Sequence, residues 1–298
     1  MKPPIGGQAV IEGVMMQNGD RIAVAVRRQT DSEVIVQSIP ARTRFKRLGK
    51  IPFVRGTFRL YDMLSLGIRA LNISTQLAFP EEEQLSKSGT FFTFLIAIAI
   101  AVGAFIVLPL VVTNTVPSLR IGNPILFNLV EGLIRLTIFL LYLVIISRFK
   151  DIRRVFQYHG AEHKVVYTYE ADEELTLENA RKHTMLHPRC GTAFLMIVFV
   201  IAILVFSLVG NPALWLKTLS RLVLLPIVAG ISYEVLRFSG RMHERRWVRI
   251  LITPGLWLQK LTTAEPTDDM IEVALASMRR ALETPETQET PDPAQAQA

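Results

Sequence analysis

The sequence has a single cysteine, Cys190, so an internal disulfide framework is excluded. Its first residues, Met-Lys-Pro-Pro-Ile-Gly-Gly, are not followed by an apolar run, and we therefore expect no signal peptide. No internal repeat is visible, which disfavours a transporter built from inverted repeats. With these features excluded, the hydrophobic segments inside the chain become the main guide to its organisation.

Apolar residues make up 50% of the 298 residues, and the mean hydropathy is +0.33. Several apolar runs approach the ~20 residues that cross the hydrocarbon core of a bilayer. The sequence therefore predicts an α-helical integral membrane protein. Its four expected transmembrane helices are Phe91 to Thr113, Ile125 to Ser147, Thr192 to Val209 and Leu219 to Leu236.

The distribution of lysine and arginine predicts the orientation of these helices. Residues 1–89 contain 13 of them, residues 148–190 contain 8 and residues 237–298 contain 8, whereas the two short connections contain almost none. The positive-inside rule then places both termini and the middle segment in the bacterial cytoplasm, on the inner side of the cytoplasmic membrane. The formal net charge of +7 accordingly indicates contact with anionic membrane lipids rather than nucleic acid.

The polar segments predict a small cytoplasmic α+β portion. In residues 1–89, alternating residues predict a β-hairpin from Arg21–Arg28 and Glu33–Ile39, followed by an amphipathic helix from Phe53 to Ala78. The three glycines between Gly6 and Met16 suggest a close backbone approach rather than a regular element. Residues 90–148 and 191–237 hold the membrane helices, residues 238–283 predict interfacial and amphipathic helices, and residues 284–298 predict a disordered tail.

Residues 149–190 are rich in histidine and predict a helical hairpin. Its helices are expected at Phe149–Glu170 and at Leu177–His187, the second capped by Thr176. The first helix carries the pattern H-x-x-E-H at His159, Glu162 and His163. Histidines four residues apart lie on one helical face, so both imidazoles can bind one ion while the glutamate lies beside them. This is the arrangement of inverse-type zinc peptidases, in which the glutamate is the general base.

The pattern alone leaves several candidates for the remaining metal ligands. We expect His159 and His163 to bind a divalent metal, with zinc favoured because neutral imidazoles prefer it. His187 or Glu170 would complete the site, Glu162 would be the catalytic base, and further candidates are His183, Cys190 and Glu234. The alternative is a buried polar network without metal, in which Cys190 is a small apolar residue at the mouth of a membrane helix.

Several separated phrases resemble the YqhQ family of bacterial multi-pass membrane proteins. They are Gly6 to Val10, Glu12 to Met16, His159 to Lys164, His187 to Thr192, Ser232 to Glu234 and Pro254 to Gln259. Members of this family are described as predicted metal-dependent enzymes, so the resemblance implies a metal cofactor and a membrane location. The chain differs from true inverse-type zinc peptidases, which have a distant glutamate ligand and a large substrate-binding domain.

Three function classes follow from these observations. The first is a zinc-dependent hydrolase that acts at the cytoplasmic face of the membrane. The second is a non-enzymatic accessory or assembly factor for another membrane protein complex, in which the histidine cluster is structural or a regulatory metal site. A metal transporter is disfavoured, because the histidines lie outside the spans and the spans carry few ionisable residues. Two ionisable residues within the second span, Glu131 and Arg135, are four residues apart and are expected to pair with each other.

Overall fold

The computed structural model of the protein describes residues 5–41, 51–81, 87–116, 123–188, 190–210, 213–241 and 246–283. The strands are β1 (Gly6–Val10), β2 (Gly13–Asn18), β3 (Arg21–Arg27) and β4 (Val34–Pro40). The helices are α1 (Val54–Ala78), α2 (Lys87–Val102), α3 (Leu108–Thr115), α4 (Pro124–Ile146), α5 (Lys150–Glu170), α6 (Leu177–Lys182), α7 (Gly191–Ser207), α8 (Leu214–Arg241), α9 (Arg246–Thr262) and α10 (Asp268–Leu282). A π-helical turn, Gly103–Val107, joins α2 to α3.

The four strands form an antiparallel sheet in the order β1-β2-β3-β4. Helix α1 covers one face, and α5 and α10 cover the other. Along β3, Ala23 and Ala25 pack toward α5 and α10, whereas Ile22, Val24 and Val26 pack toward α1. Because both faces are covered, β3 is buried on both sides and does not show the one-sided burial of a solvated hairpin.

The expectation that Gly6 to Met16 has no regular structure is wrong. These residues form β1 and β2, joined by a turn in which Glu12 has a φ of 51°. The glycines serve close approach within the strands: a Cβ on Gly13 would lie 2.1 Å from the backbone oxygen of Ala25. The predicted hairpin of β3 and β4 is therefore half of a four-stranded sheet.

The helices outside this sheet layer are strongly apolar. Among the described residues, three segments are long and apolar enough to cross a membrane: Phe91–Thr115, Pro124–Ile146 and Trp215–Phe238. The expected span Thr192 to Val209 corresponds to α7, whose apolar stretch is only Phe194–Ser207. Helix α7 packs between α4 and α8 and also contacts α9.

The second helix of the expected hairpin is shorter than the sequence pattern indicates. Helix α6 ends at Lys182, and His183 has an extended backbone with φ −86° and ψ 154°. Residues 183–188 therefore return to α5 without helical structure, rather than as a helix ending at His187. The predicted tail, residues 284–298, lies outside the described residues.

Candidate metal centre

Helix α5 places the H-x-x-E-H residues inside the protein. One side of the helix packs on β1, β2 and α10, and Met185 and Cys190, which follow α6 in sequence, contact the two histidines. His163 is only 2% exposed and Glu162 6% exposed. The ring centroids of His159 and His163 are 4.4 Å apart, as the spacing of four residues predicts.

Backbone carbonyls fix the tautomer of both histidines. The Nδ1 atom of His159 lies 2.8 Å from the oxygen of Thr262, and Nδ1 of His163 contacts the oxygen of Met185. A carbonyl oxygen only accepts hydrogen bonds, so each Nδ1 carries the proton and donates. In the neutral imidazole Nε2 then holds the lone pair, which is the state in which a histidine binds a metal.

Cys190 supplies a third donor atom at the same place. It is the N-terminal capping residue of α7, and its Sγ lies 3.2 Å from Nε2 of His159. The donor atoms of His159, His163 and Cys190 all lie within 4.8 Å of one another. Two imidazole nitrogens and one sulfur form a donor set that fits zinc and leaves a fourth tetrahedral position for another ligand.

Glu162 lies directly beside this trio. Burial raises the pKa of the Glu162 carboxyl, although the nearby His159 and His187 act in the opposite direction. Oε2 of Glu162 is 3.4 Å from Nε2 of His163. Burial also lowers the pKa of His163, so burial disfavours the charged form of both groups.

His187 and Glu170 contact each other at the edge of the cluster. Nε2 of His187 lies 3.3 Å from Oε2 of Glu170, and the His187 ring centroid is 5.7 Å from that of His163. Burial lowers the pKa of His187, while Glu162 opposes the shift. The structure thus brings Cys190 to the two histidines of α5 and places His187 and Glu170 next to them.

The two other candidate residues contact groups outside the trio. His183 is paired with Glu173, with 3.1 Å between Nε2 and Oε2. Glu234 binds Arg55 at the start of α1, where Nε of Arg55 lies 2.7 Å from Oε1. The carboxylate of Glu234 also accepts a hydrogen bond from the backbone N–H of Phe53. Its contacts therefore join α8 to α1.

Sequence reasoning missed the residues that hold the cluster in place. Gln259 forms two 2.8 Å hydrogen bonds, one from the backbone N–H of His187 and one to its carbonyl. Glu12 binds Arg154 with both carboxylate oxygens and thereby ties the β1–β2 turn to α5. Both Glu12 and Gln259 belong to the phrases that carry the family resemblance. Those phrases are the sequence feature that could have indicated their role.

The comparisons with known proteins agree with that resemblance. Residues 51–284 match the model of a family described as "Protein of unknown function (DUF1385)". The chain is also 36% identical over 295 residues to the "Uncharacterized protein YqhQ" of Bacillus subtilis (strain 168), which covers 94% of this chain and 92% of the relative. No solved structure matches the chain. The chain therefore belongs to the DUF1385 family, and it is similar to YqhQ over nearly its whole length, as its separated phrases predict.

Proposed function

We propose that the protein is a metal-dependent hydrolase whose site consists of His159, His163 and Cys190, with Glu162 as general base. The observation that carries this proposal is the convergence of the three donor atoms within 4.8 Å, on histidines whose Nδ1 atoms face carbonyl oxygens. Hydrogen bonds from Nδ1 to an outer carbonyl are the usual way in which metal-binding histidines are oriented. The sequence predicts His187 or Glu170 as the third ligand, whereas this proposal makes Cys190 the third ligand.

The protein residues have separate tasks in this proposal. A zinc ion bound there would supply a Lewis acid and lower the pKa of water. Glu162 accepts a proton from the attacking water and returns it to the leaving group, a task suited to a carboxyl group held beside the donor atoms. His187 and Glu170 would orient the substrate at the edge of the cluster. The proposed substrate class is a peptide, a lipid headgroup or another membrane-linked compound.

A second reading is favoured by the deep burial of the donors. His163 and Glu162 are almost inaccessible, and a closed metal site is typical of a structural role. The protein would then be an accessory factor of another membrane complex, in which a structural or regulatory metal joins α5 to α7. The two readings differ in the role of Glu162, which a structural site does not need.

Metal content tests the site itself. We expect about one zinc per chain in the full-length protein purified in detergent, and none in the His159→Ala/His163→Ala variant. The matched control is His183→Ala, since His183 pairs with Glu173 outside the trio and its loss should leave the metal content unchanged. Wild-type protein that binds no metal under any loading condition would exclude both readings and leave the histidines as packing residues.

The role of Glu162 is tested with Glu162→Gln, which preserves the shape of the side chain. Membrane extracts incubated with wild type and variant can be compared by mass spectrometry for products that only the wild type generates. Loss of a general base lowers the rate by roughly 10²–10⁴-fold. A variant that keeps its metal but forms no product supports the hydrolase, whereas identical products from both proteins would assign the metal a structural role.

We further propose that the protein is a multi-pass protein of the bacterial cytoplasmic membrane with four spans. Three long apolar helices support insertion, and α7 would be a short fourth span. Lysine and arginine are concentrated in residues 1–89, 148–190 and 237–298, which lie before, between and after the two pairs of apolar helices. This distribution supports cytoplasmic termini and a sheet layer that faces the cytoplasm. In this arrangement the candidate metal centre lies at the inner membrane surface, at the cytoplasmic end of α7.

A further inference from the structure

A second cluster of charged residues is buried among the apolar helices, away from the metal centre. Glu131 and Arg135 on α4 meet Arg221 on α8, and all three are almost completely enclosed. From Cys190 to Phe206, which packs against this cluster, α7 advances about 24 Å at 1.5 Å per residue. The cluster is therefore distinct from the proposed hydrolytic site and does not depend on it.

Glu131 is shared between two arginines. One carboxylate oxygen contacts Nη2 of Arg135, and the other lies 2.7 Å from Nη2 of Arg221. Arg135 also donates from Nε to the backbone oxygen of Phe105, at 2.8 Å, within the π-helical turn. Sequence analysis had predicted a neutral pair of Glu131 and Arg135, but Arg221 makes this group positive.

Lys217 adds a further positive charge one helical turn before Arg221. It is 2% exposed, and its Nζ lies 3.9 Å from the ring centroid of Phe127 and 3.4 Å from Oδ1 of Asn114. Residues four apart on a helix lie on the same face, so the two cations are neighbours on α8. Three cations against one carboxylate give this cluster a formal charge of +2.

Arg221 also has hydrogen-bond donors without acceptors. Its Nη2 contacts Glu131 and Asn128, but Nε and Nη1 are buried and have no partner among the described residues. Three of the five N–H groups of the guanidinium are thus unsatisfied. The Phe206 ring, 4.5 Å from Cζ, stabilises the positive charge but provides no oxygen acceptor.

We propose that this cluster binds a phosphate-type oxyanion at Arg221 and Lys217. A water molecule would satisfy an N–H group but would not neutralise the surplus charge, whereas an oxyanion does both. Several acceptor oxygens match the three free N–H groups of Arg221 and the ammonium of Lys217. The phosphate is either a free inorganic ion or the headgroup of a membrane lipid, since both present the same chemistry.

Binding requires an entry to the enclosed side chains. Asn114 at the end of α3 is half buried, and its contact with Lys217 closes the cluster on that side. The proposed path for the anion runs past Asn114, between the end of α3 and the first turns of α8, with Lys217 as the first contact. Arg221 lies one turn deeper and forms the inner wall of the site.

Binding can be measured on full-length protein purified in detergent. One arm uses equilibrium dialysis with labelled inorganic phosphate. The other uses native mass spectrometry with phosphatidic acid, compared with diacylglycerol of the same acyl chains. Binding of phosphate alone identifies a free-ion site, and binding of phosphatidic acid but not diacylglycerol identifies a lipid-phosphate site. A wild-type protein that binds neither compound overturns the proposal.

The variants assign the binding to this cluster. Arg221→Met removes one cation while leaving the Glu131–Arg135 pair intact, and it should weaken binding by roughly tenfold or more. Lys217→Met should weaken binding in the same way and serves if Arg221→Met does not fold. The control is Arg237→Met, the same change at an exposed position of the same helix, which should bind like wild type. Equal binding by wild type and the two cluster variants contradicts the proposal.

Glu131→Gln separates the anion site from a purely structural network. Removing the carboxylate raises the formal charge of the cluster from +2 to +3, so an oxyanion should bind more tightly. Bound phosphate should then also raise the melting temperature of this variant more than that of the wild type. A Glu131→Gln protein that folds but binds the anion less tightly than wild type would contradict the proposed site.

Discussion

Two adjacent glycines at the start of β1 differ sharply in their surroundings. A Cβ on Gly6 would have no atom within 4 Å, whereas a Cβ on Gly7 would lie 2.3 Å from Oε1 and 2.5 Å from Cγ of Glu162. Gly7 therefore forms the wall against which the proposed general base is held. Its importance comes from the absence of a side chain, which lets the Gly6-Gly7 motif pack against the histidine helix although the two lie far apart in sequence.

Gly7→Ala should displace the Glu162 carboxylate, because a buried side chain has little room to move away. We expect this overpacking to lower the free energy of unfolding by about 1–3 kcal/mol. Gly6→Ala is the matched control and should change it by less than about 0.5 kcal/mol. Thermal unfolding of the two purified variants measures the difference, and equal stabilities would show that Gly7 does not confine Glu162.

A double variant tests whether the clash is with Glu162 itself. Glu162→Asp shortens the side chain by one methylene group and draws the carboxylate away from β1. The double variant should be more stable than the sum of the two single effects predicts, with a coupling of about 0.5–3 kcal/mol. Additive effects would place the strain of Gly7→Ala elsewhere.

At the scale of elements, two helices cross at a pair of glycines. A Cβ on Gly230 of α8 would lie 2.1 Å from the backbone oxygen of Phe53, and a Cβ on Gly56 of α1 would lie 2.9 Å from Cα of Gly230. The ion pair between Arg55 and Glu234 lies at the same crossing. This contact joins the sheet layer to an apolar helix.

Gly230→Ala should weaken this crossing, because the backbone oxygen of Phe53 cannot rotate away as a side chain can. The expected loss is about 1–3 kcal/mol or more, seen as a lower melting temperature and faster proteolysis of α1. Gly103→Ala is the control, since nothing lies within 4 Å of the added Cβ. Unchanged stability and proteolysis in Gly230→Ala would mean that the helices do not approach this closely.

The parts of the protein that could be predicted from sequence are those that depend on patterns within one element. The extent of α5 follows from local periodicity, since the sequence predicts Phe149–Glu170 and the helix is Lys150–Glu170, and the pairing of His159 with His163 follows from helical spacing. The approach of Cys190 depends on how α7 packs against α4, α8 and α9, which no local pattern encodes. For the same reason the partners of Gly7, Gln259 and Arg221 could not be predicted, because they lie 155, 72 and 90 residues away in sequence, although the glycine pattern predicts a close backbone approach at Gly7.

At the scale of the whole molecule, the protein exposes apolar side chains on two kinds of helix. The long apolar helices expose residues such as Phe91, Ile100 and Leu141, and helix α1 exposes Met63 and Leu64. An exposed apolar surface that continues from a helix bundle to an amphipathic helix is expected at a membrane and its interface. The sheet layer would then lie close to the inner surface of the membrane, with α1 along it.

Cysteine labelling tests this arrangement and the number of spans. With four spans, Ser118→Cys and Ala213→Cys both lie outside, so an impermeant maleimide should label them in intact cells. Ser32→Cys, in the turn before β4, should react only after permeabilisation, and wild-type protein measures the background from Cys190, which is 8% exposed. Labelling at Ala213 shows whether α7 crosses the membrane, since the short apolar stretch Phe194–Ser207 separates this residue from the candidate metal centre.

If α7 does not cross, Ala213→Cys stays protected in intact cells while Ser118→Cys is labelled, and α8 then carries the C-terminus to the outside. Protection of Ser118→Cys together with labelling of Ser32→Cys would reverse the orientation and place the proposed hydrolytic site outside the cytoplasm.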